Sequence, residues 1–264
     1  MENLLEKCRT FDRLLQEDSD HPAAYGEMAE VLGTLARANV SIVGAKGRIL
    51  GCFYMDGFVC EPYANHDSGE GAIAEADNEV LSAVSQTQVN IHSENGKCLL
   101  GGFCESCDFA GIATCIVPMV AGGRRQGTLV LTKNNKSEFG MDDTILAEHC
   151  AMLICMTIRR ERSVRVEEEA RRKTAVQVAI GTLSYSEREA IECIFAELNG
   201  MEALLVASKI ADREGITRSV IVNALRKLES AGVISTKSLG MKGTFIRILN
   251  DSLPEELAKS RNER

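Results

Sequence analysis

The fold is decided by the stretch from residue 204 to residue 250, LLVASKIADREGITRSVIVNALRKLESAGVISTKSLGMKGTFIRILN. Its spacing predicts a helix over Leu204–Arg213, a turn at Gly215, and a second helix over Arg218–Ser230 that begins after Thr217 as N-cap. We expect Ala211 and Gly215 to let the two helices approach closely. Two helices of this length joined by a glycine turn are typical of a helix-turn-helix.

The flanks of this stretch complete a winged domain. Upstream, Ser184 and Glu187 form a capping box that opens another helix. Downstream, two strands are predicted, Val233–Thr236 and Thr244–Leu249, and the glycine-containing loop between them carries Lys237 and Lys242. The side chains predicted to be buried across the helices are Ile210, Ile216, Val220, Leu225 and Leu228.

The second helix has the polar side chains of a helix that reads DNA. The exposed residues are predicted to be Thr217, Arg218, Ser219, Asn223, Arg226 and Lys227. Arginine can donate two hydrogen bonds to guanine, and asparagine can pair in the same way with adenine. Hydroxyl groups and a helix N-terminus suit phosphate. The pattern therefore predicts binding to double-stranded DNA.

The charge of the chain is unevenly distributed. The net charge is −8 over 264 residues, but residues 171–264 carry 15 basic and 12 acidic side chains, whereas residues 1–170 carry 15 and 26. Within residues 205–247 the count is 8 basic to 3 acidic. A locally basic end on an acidic body indicates that one part of the chain meets phosphate.

The N-terminal part has the pattern of a small-molecule sensor. Residues 1–37 predict two helices, and two β-hairpins follow, over 40–54 and 112–132. Between the hairpins only the stretch from Ala72 to Val89 has a helical pattern. From Asp142 to about Leu183 the pattern is helical, with one apolar stripe through Ile145, Leu146, His149, Met152, Leu153 and Met156. The stripe can pack on the sensor sheet or on a second subunit, and we expect it to do both. An antiparallel sheet with flanking helices predicts an α+β module of the GAF/PAS type.

We therefore expect an α+β protein of three parts: a GAF-like effector-sensing domain at 1–155, a linker helix at 156–183 and a winged helix-turn-helix at 184–264. No apolar run is long enough to span a membrane, and the N-terminus lacks the layout of a signal peptide, so a cytoplasmic location is expected. The expected state of the cysteines is free thiols. Cys115, Cys150, Cys155 and Cys193 are predicted to be small core residues.

The deciding stretch, residues 204–250, resembles the DNA-binding domain of the bacterial CodY family. Other similar segments are LLEKCR (4–9), IVPMVAGGRRQGTLVLTK (116–133), MDDTILAEH (141–149) and EEEARRKTAVQVAIGTLSYSEREAIECIFAELNG (167–200). The resemblance implies a homodimer that regulates, mostly by repression, genes of amino-acid and nitrogen metabolism. It implies isoleucine, leucine or valine as effectors and, in some members, GTP.

The resemblance also implies DNA-binding positions. Ala211, Arg218, Ser219 and Val222 match positions where the family contacts DNA or depends on the recognition helix. The full expected set adds Ser208 and Lys209 from the preceding helix to the residues named above: Ser208, Lys209, Ala211, Thr217, Arg218, Ser219, Val222, Asn223, Arg226, Lys237 and Lys242.

The sensor departs from the family where the effector should bind. The family holds the ligand carboxylate with an arginine, yet no arginine occurs from Phe53 through Gly123, where Lys97 is the only lysine. A buried carboxylate needs a cation or several N–H donors. Three alternatives follow: Lys97 or backbone amides substitute, the effector has changed, or the protein acts without an amino acid and reads GTP only or nothing. No phosphate-binding glycine loop is present.

Cys104 and Cys107 form a CxxC pair in the same region. Such a pair can bind a metal or form a reversible disulfide, and it can also be two structural thiols; the sequence leaves these alternatives open. An enzyme carrying a DNA-binding appendage is a further alternative, as is an activator or nucleoid-type binder without effector. Because no catalytic triad, carboxylate pair or nucleotide loop is present, we predict that the chain is not an enzyme.

Overall fold

The computed structural model describes residues 3–17, 25–55, 71–92, 97–98, 102–103, 112–133, 137–196, 200–240 and 243–262. The chain divides into two compact units, Met1–Arg162 and Ser163–Arg264. The domain boundaries expected from the sequence, after residues 155 and 183, stay predictions.

The first unit is built on an antiparallel sheet, as the two predicted hairpins required. Its five longer strands lie in the order β2-β1-β7-β6-β3, and two short strands, β4 and β5, pair with each other. In chain order the elements are α1 (Leu4–Glu17), α2 (Tyr25–Ala36), β1 (Asn39–Gly44), β2 (Ile49–Phe53), α3 (Glu75–Ala83), β3 (Gln88–His92), β4 (Lys97–Cys98), β5 (Gly102–Phe103), β6 (Ala113–Ala121), β7 (Arg124–Lys133) and the start of α4 (Met141–Gly181). The α+β class is confirmed.

Both faces of this sheet are covered, because alternate strand residues point to opposite sides. Val117 and Leu129 belong to a core that they share with α1, α2 and α4, whereas Ile116 and Val130 pack with α3. The first core includes Phe11, Met28, Leu32, Val40, Ile42, Leu131, Leu146 and Ile154. The second includes Val43, Ile49, Ile73, Leu81 and Val84.

The helix predicted from Ala72 to Val89 is partly wrong. Helix α3 ends at Ala83, and Val89 lies in the edge strand β3. At the end of the helix, Arg125 of β7 donates hydrogen bonds to the carbonyl oxygens of Leu81 and Val84. These partners are more than forty residues apart in the chain, so the local pattern carried no sign of them.

Helix α4 buries a different face from the predicted stripe. Of the six residues in that stripe only Leu146 is fully buried, whereas Ile145, Met152 and Met156 are exposed. The buried face consists of Leu146, Ala147, Cys150, Ala151, Ile154 and Cys155. Small residues make up much of it, which lets the helix approach the sheet, and the large methionines stay outside.

Three of the four cysteines that were predicted to be core residues are buried, and the fourth is not. Cys115, Cys150 and Cys155 are buried, and Cys193 is half-buried. Burial raises the pKa of Cys115 to about 12. It also raises the pKa of Cys150 and Cys155 above the ordinary value. These thiols therefore stay protonated and unreactive at neutral pH.

The second unit follows the predicted order with two additions. Its elements after α4 are α5 (Tyr185–Ala196), β8 (Glu202–Leu205), α6 (Ala207–Glu214), α7 (Arg218–Ser230), β9 (Ile234–Ser238), β10 (Thr244–Ile248) and α8 (Leu253–Asn262). The helix predicted from Leu204 is wrong at its start, because residues 202–205 pair with β10 as a third strand of the wing sheet. Helix α8 was not predicted.

Across the described ranges, no helix has both the length and the apolar character needed to cross a membrane.

Candidate nucleic-acid interface

The turn between α6 and α7 depends on Gly215. Its φ of +67° lies in the left-handed region that favours glycine. The next amide, on Ile216, donates to the carbonyl oxygen of Ala211 at 3.1 Å and closes the end of α6. A Cβ at residue 215 would meet nothing within 4 Å. The prediction that Gly215 permits a close helix approach is therefore wrong, since the turn needs its backbone conformation.

One face of α7 is buried in the core of the second unit. Ile221, Ala224 and Leu228 are fully buried and Leu225 is nearly so. The predicted burial of Ile210, Leu225 and Leu228 is confirmed, whereas Ile216 and Val220 are only partly buried. Ile221 and Ala224 were not among the residues predicted to be buried, although they recur at the same three- and four-residue spacing.

The opposite face of α7 is exposed along its whole length. The predicted DNA-binding residues on it are exposed: Thr217, Arg218, Ser219, Val222, Asn223 and Arg226. Thr217 occupies the N-cap position, as predicted, but its side chain forms no capping hydrogen bond. Its hydroxyl lies 2.9 Å from that of Ser219 instead. The first amides of a helix lack partners within it, so this end presents hydroxyls, amides and Arg218 together.

The cations of this surface differ in whether they are already paired. Within the described ranges, Lys209, Arg218, Arg226 and Lys237 form no ion pair. Lys227 was predicted among the exposed polar residues, yet its ammonium group lies 2.6 Å from the carboxylate of Glu187. An unpaired cation presents its full charge to a phosphate, whereas the charge of Lys227 is offset by Glu187.

The wing is a three-stranded sheet tied to α7. Strand β10 pairs with β8 on one side and with β9 on the other. The carboxylate of Glu229, in the last turn of α7, accepts hydrogen bonds from the amide and the hydroxyl of Thr236 in β9, at 2.7 and 2.8 Å. These bonds fix the wing strand against the end of the helix, and Lys237 follows Thr236 as an exposed residue.

Two of the predicted DNA-binding side chains lie outside the described residues, those of Ser208 and Lys242. Cys104 and Cys107 also lie outside them, so the CxxC stays a prediction. Lys209 is exposed on α6, and Ala211 is buried in the core of the second unit. Of the ranges that the structure does describe, none brings together three or more side chains able to hold a metal ion.

The predicted capping box lies at the start of α5 and is bonded to α7 through Glu187. The amide of Ser184 donates to the carboxylate of Glu187 at 2.7 Å, and the amide of Glu187 donates to the Ser184 hydroxyl at 3.3 Å. The hydrogen bond from Lys227, together with that from Ser184, lowers the pKa of Glu187 below its ordinary value. Glu187 is buried, so its charge depends on these partners.

Comparisons with known proteins cover both units. Residues 3–182 match a family model described as the CodY GAF-like domain, and residues 201–261 match the CodY helix-turn-helix domain. The chain is 48% identical over 259 residues to the global transcriptional regulator CodY of Clostridium perfringens (strain SM101 / Type A), covering 98% of this chain and 99% of that protein. It is also 48% identical to the regulator of the same name from Clostridium botulinum (strain Okra / Type B1), with the same coverage.

Among solved structures, the cofactor-binding GAF domain of the nutrient sensor CodY from Clostridium difficile matches with a TM-score of 0.44 and 26% identity. The match covers 60% of this chain and 99% of that one.

Replacing Glu187 with glutamine should destabilise the second unit in a pH-dependent way. The charged carboxylate contributes to stability above its unfolded pKa near 4.5, and this contribution disappears as the pH falls through the lowered pKa of the folded state. At pH 7 we expect a loss of about 1 kcal/mol in the free energy of unfolding. Urea titrations of the full chain, followed by circular dichroism between pH 3 and pH 7, measure this difference.

The matched control is Glu189→Gln, which makes the same change at an exposed position of the same helix and should have little effect. A Glu187→Gln difference that persisted unchanged to pH 3 would contradict the assigned role.

Proposed function

Because the chain belongs to the CodY family of global transcriptional regulators, as its motifs predicted, we propose that it reads operator DNA with the exposed face of α7 and mostly represses its target genes. The curated relatives are regulators and not enzymes, which agrees with the prediction from sequence. The observation that carries the proposal is the exposed face of α7, where Arg218 and Arg226 have no ion-pair partner among the described residues. Such a protein would meet its DNA in the cytoplasm.

Some side chains of this face are suited to contact bases, and others are suited to contact phosphate. Arg218 and Asn223 have the donors and acceptors for guanine and adenine edges, and Val222, 39% exposed, offers an apolar contact for a thymine methyl. Thr217 and Ser219, at the helix N-terminus, suit a phosphate oxygen.

Four further predicted residues fit backbone contacts around the groove: Ser208, Lys209, Lys237 and Lys242. The three lysines neutralise phosphate charge without reading sequence, so they should add affinity and salt dependence rather than specificity. Ser208 is uncharged and would only donate a hydrogen bond to a phosphate oxygen. Ala211 is buried in the core of the second unit, so it would act by allowing α6 to pack closely rather than by contacting DNA.

We assign regulation to the GAF-like part, residues 1–155, joined through a linker helix, 156–183, to the winged domain, 184–264. The effectors implied by the family are isoleucine, leucine, valine and GTP. Arg124 and Arg125 directly follow the stretch without arginine. The guanidinium group of Arg125 already forms hydrogen bonds within the protein, to the carbonyl oxygens of Leu81 and Val84 and to the hydroxyl of Thr128. If the effector is an amino acid, we propose that Lys97 or backbone amides hold its carboxylate.

We also propose that the regulator is a homodimer formed through α4. Met141, Ile145, Met152 and Met156 are exposed, with Met152 at 66% and Met141 at 75%. At 3.6 residues per turn they fall within an arc of about 60°, on the side away from the buried face. An exposed apolar stripe of this kind marks a protein contact. Because helix-turn-helix proteins commonly read paired half-sites, we propose that a second copy of the chain covers this stripe.

Replacing Arg218 with alanine tests the proposed DNA reading. Binding to an operator selected from random DNA with the wild-type protein should weaken by about 1–3 kcal/mol if Arg218 contacts a base. Binding to scrambled DNA should change much less. Arg172→Ala, at an exposed position of α4 in the same unit, is the control. An equal loss on both DNAs would mean that Arg218 contacts phosphate alone.

An aspartate in place of Ser219 should separate folding from DNA binding. A negative charge in the first turn of α7 stabilises the helix by about 0.3–1 kcal/mol, but it faces the DNA phosphates and should lower affinity for any sequence. Ser230→Asp, at the other end of the same helix, should show the reverse: slightly lower stability and nearly unchanged affinity. Undiminished DNA affinity in Ser219→Asp would place the interface elsewhere.

Replacing Met152 with glutamate should dissociate the dimer, because it puts a charge in the centre of the apolar stripe. Sedimentation equilibrium measures the shift in mass. Val80→Glu is the control, since Val80 is 52% exposed on α3, outside the stripe. A wild-type monomer, or a Met152→Glu variant that stays dimeric, would refute this interface.

The effector is tested by thermal unfolding of the full chain with isoleucine, leucine, valine, GTP and zinc. A ligand at a hundred times its dissociation constant should stabilise the protein by about 2.7 kcal/mol. We expect a branched-chain amino acid or GTP to do so, and alanine and ATP not to. Stabilisation by zinc alone, or DNA binding that responds to oxidant and loses the response in Cys104→Ser, would favour the thiol alternative. No response to any of these would mean an effector-independent regulator.

A further inference from the structure

Lys227 joins three helices of the second unit at one point. It lies in α7, and its ammonium group donates hydrogen bonds to the carbonyl oxygen of Thr182 at 3.0 Å and to the carboxylate of Glu187 at 2.6 Å. Thr182 directly follows the last residue of α4, and Glu187 lies in the first turn of α5. The recognition helix is therefore bonded both to the end of the long helix and to the start of the next one.

The end of α4 is arranged to receive a cation. The Thr182 hydroxyl donates to the carbonyl oxygen of Ala179 at 2.7 Å, and its amide donates to the carbonyls of Val178 and Ala179. These bonds turn the chain, while the carbonyl of Thr182 itself accepts from Lys227. Because the C-terminus of a helix carries partial negative charge, the ammonium group is favourably placed there.

The second partner of Lys227 is held in place independently. The Glu187 side chain is only 10% exposed, and its carboxylate also accepts the amide of Ser184 as part of the capping box. The carboxylate thus has a fixed orientation before Lys227 reaches it. Two fixed acceptors on different elements restrain where this part of α7 can lie.

Lys227 sits at the edge of the face proposed to read DNA. Successive residues of a helix are about 100° apart, so Lys227 is turned away from Arg226 and toward α5. Arg226 has no ion-pair partner among the described residues, whereas two donors of Lys227 are engaged within the protein. The two adjacent cations therefore have different tasks.

We propose that Lys227 is a positioning residue: by bonding α7 to the end of α4 and the start of α5, it sets the placement on which sequence-specific DNA binding depends, without contacting DNA. This inference rests on the proposed reading of DNA by α7. It assigns part of the specificity to a residue that faces the protein.

The experiment compares Lys227→Met with Lys227→Arg in the full chain. Methionine keeps the stem and removes the donors, whereas arginine can donate to both acceptors. Affinity is measured for the selected operator and for scrambled DNA over a series of salt concentrations. Lys227→Met should bind the operator about tenfold more weakly, a loss of about 1.4 kcal/mol. Its affinity for scrambled DNA and its salt dependence should stay unchanged, and Lys227→Arg should recover most of the operator affinity.

Other outcomes overturn the inference in recognisable ways. An equal loss on both DNAs, with a salt slope smaller by about 0.9, would show that Lys227 neutralises a phosphate. Unchanged operator binding would show that the junction only stabilises the fold. A wild-type protein without preference for any sequence would refute the proposed function itself.

Glu187→Gln keeps the inference testable if Lys227→Met fails to fold. It leaves the donors of Lys227 intact and removes the negative charge that holds the ammonium group, so it should lower operator affinity in the same selective way. Where both single variants fold, the double variant should lose no more operator affinity than Lys227→Met alone. Additive losses would show that the two residues act separately, and the inference would fail.

Discussion

The burial of one face of α7 is the constraint on which the DNA-reading surface depends. Ile221, Ala224 and Leu228 have no exposed surface and lie in the core that the second unit builds from its helices and the wing sheet. Burying a leucine or isoleucine side chain contributes roughly 1.5–3 kcal/mol, so the helix cannot rotate about its axis without a large loss. The outward direction of Arg218 and Asn223 follows from that packing.

An acidic chain can present a basic surface because several carboxylates of the second unit are bonded to other groups of the protein. Glu187 is held by Ser184 and Lys227, Glu229 by Thr236, and Glu202 by Arg247. The ion pairs with Lys227 and Arg247 offset the negative charges of Glu187 and Glu202, whereas the hydrogen bonds from Thr236 orient the carboxylate of Glu229 without removing its charge. The net charge of −8 therefore says little about this surface, and the location of unpaired cations says more.

Helical and hairpin patterns predicted most of the fold because burial repeats along α7 and along the strands of both hairpins. The predicted bounds of two helices were wrong where residues distant in the chain contribute to the local structure. Arg125 bonds to the last turn of α3, and residues 202–205 pair with β10 as a strand. The exposed face of α7 was likewise predictable from spacing. The hydrogen bonds of Lys227 could not be predicted from the sequence, because its partners Thr182 and Glu187 lie 45 and 40 residues away in the chain.

Methylation interference on a selected operator tests the central claim most directly, because methylation of guanine N7 blocks the major groove edge that a recognition helix reads. The account predicts that methylated guanines in two clusters, about one helical turn or a multiple of it apart, prevent binding by the wild type. It also predicts that Arg218→Ala loses the interference at one guanine in each cluster. Interference from phosphate ethylation alone, with none from guanine methylation, would contradict the account.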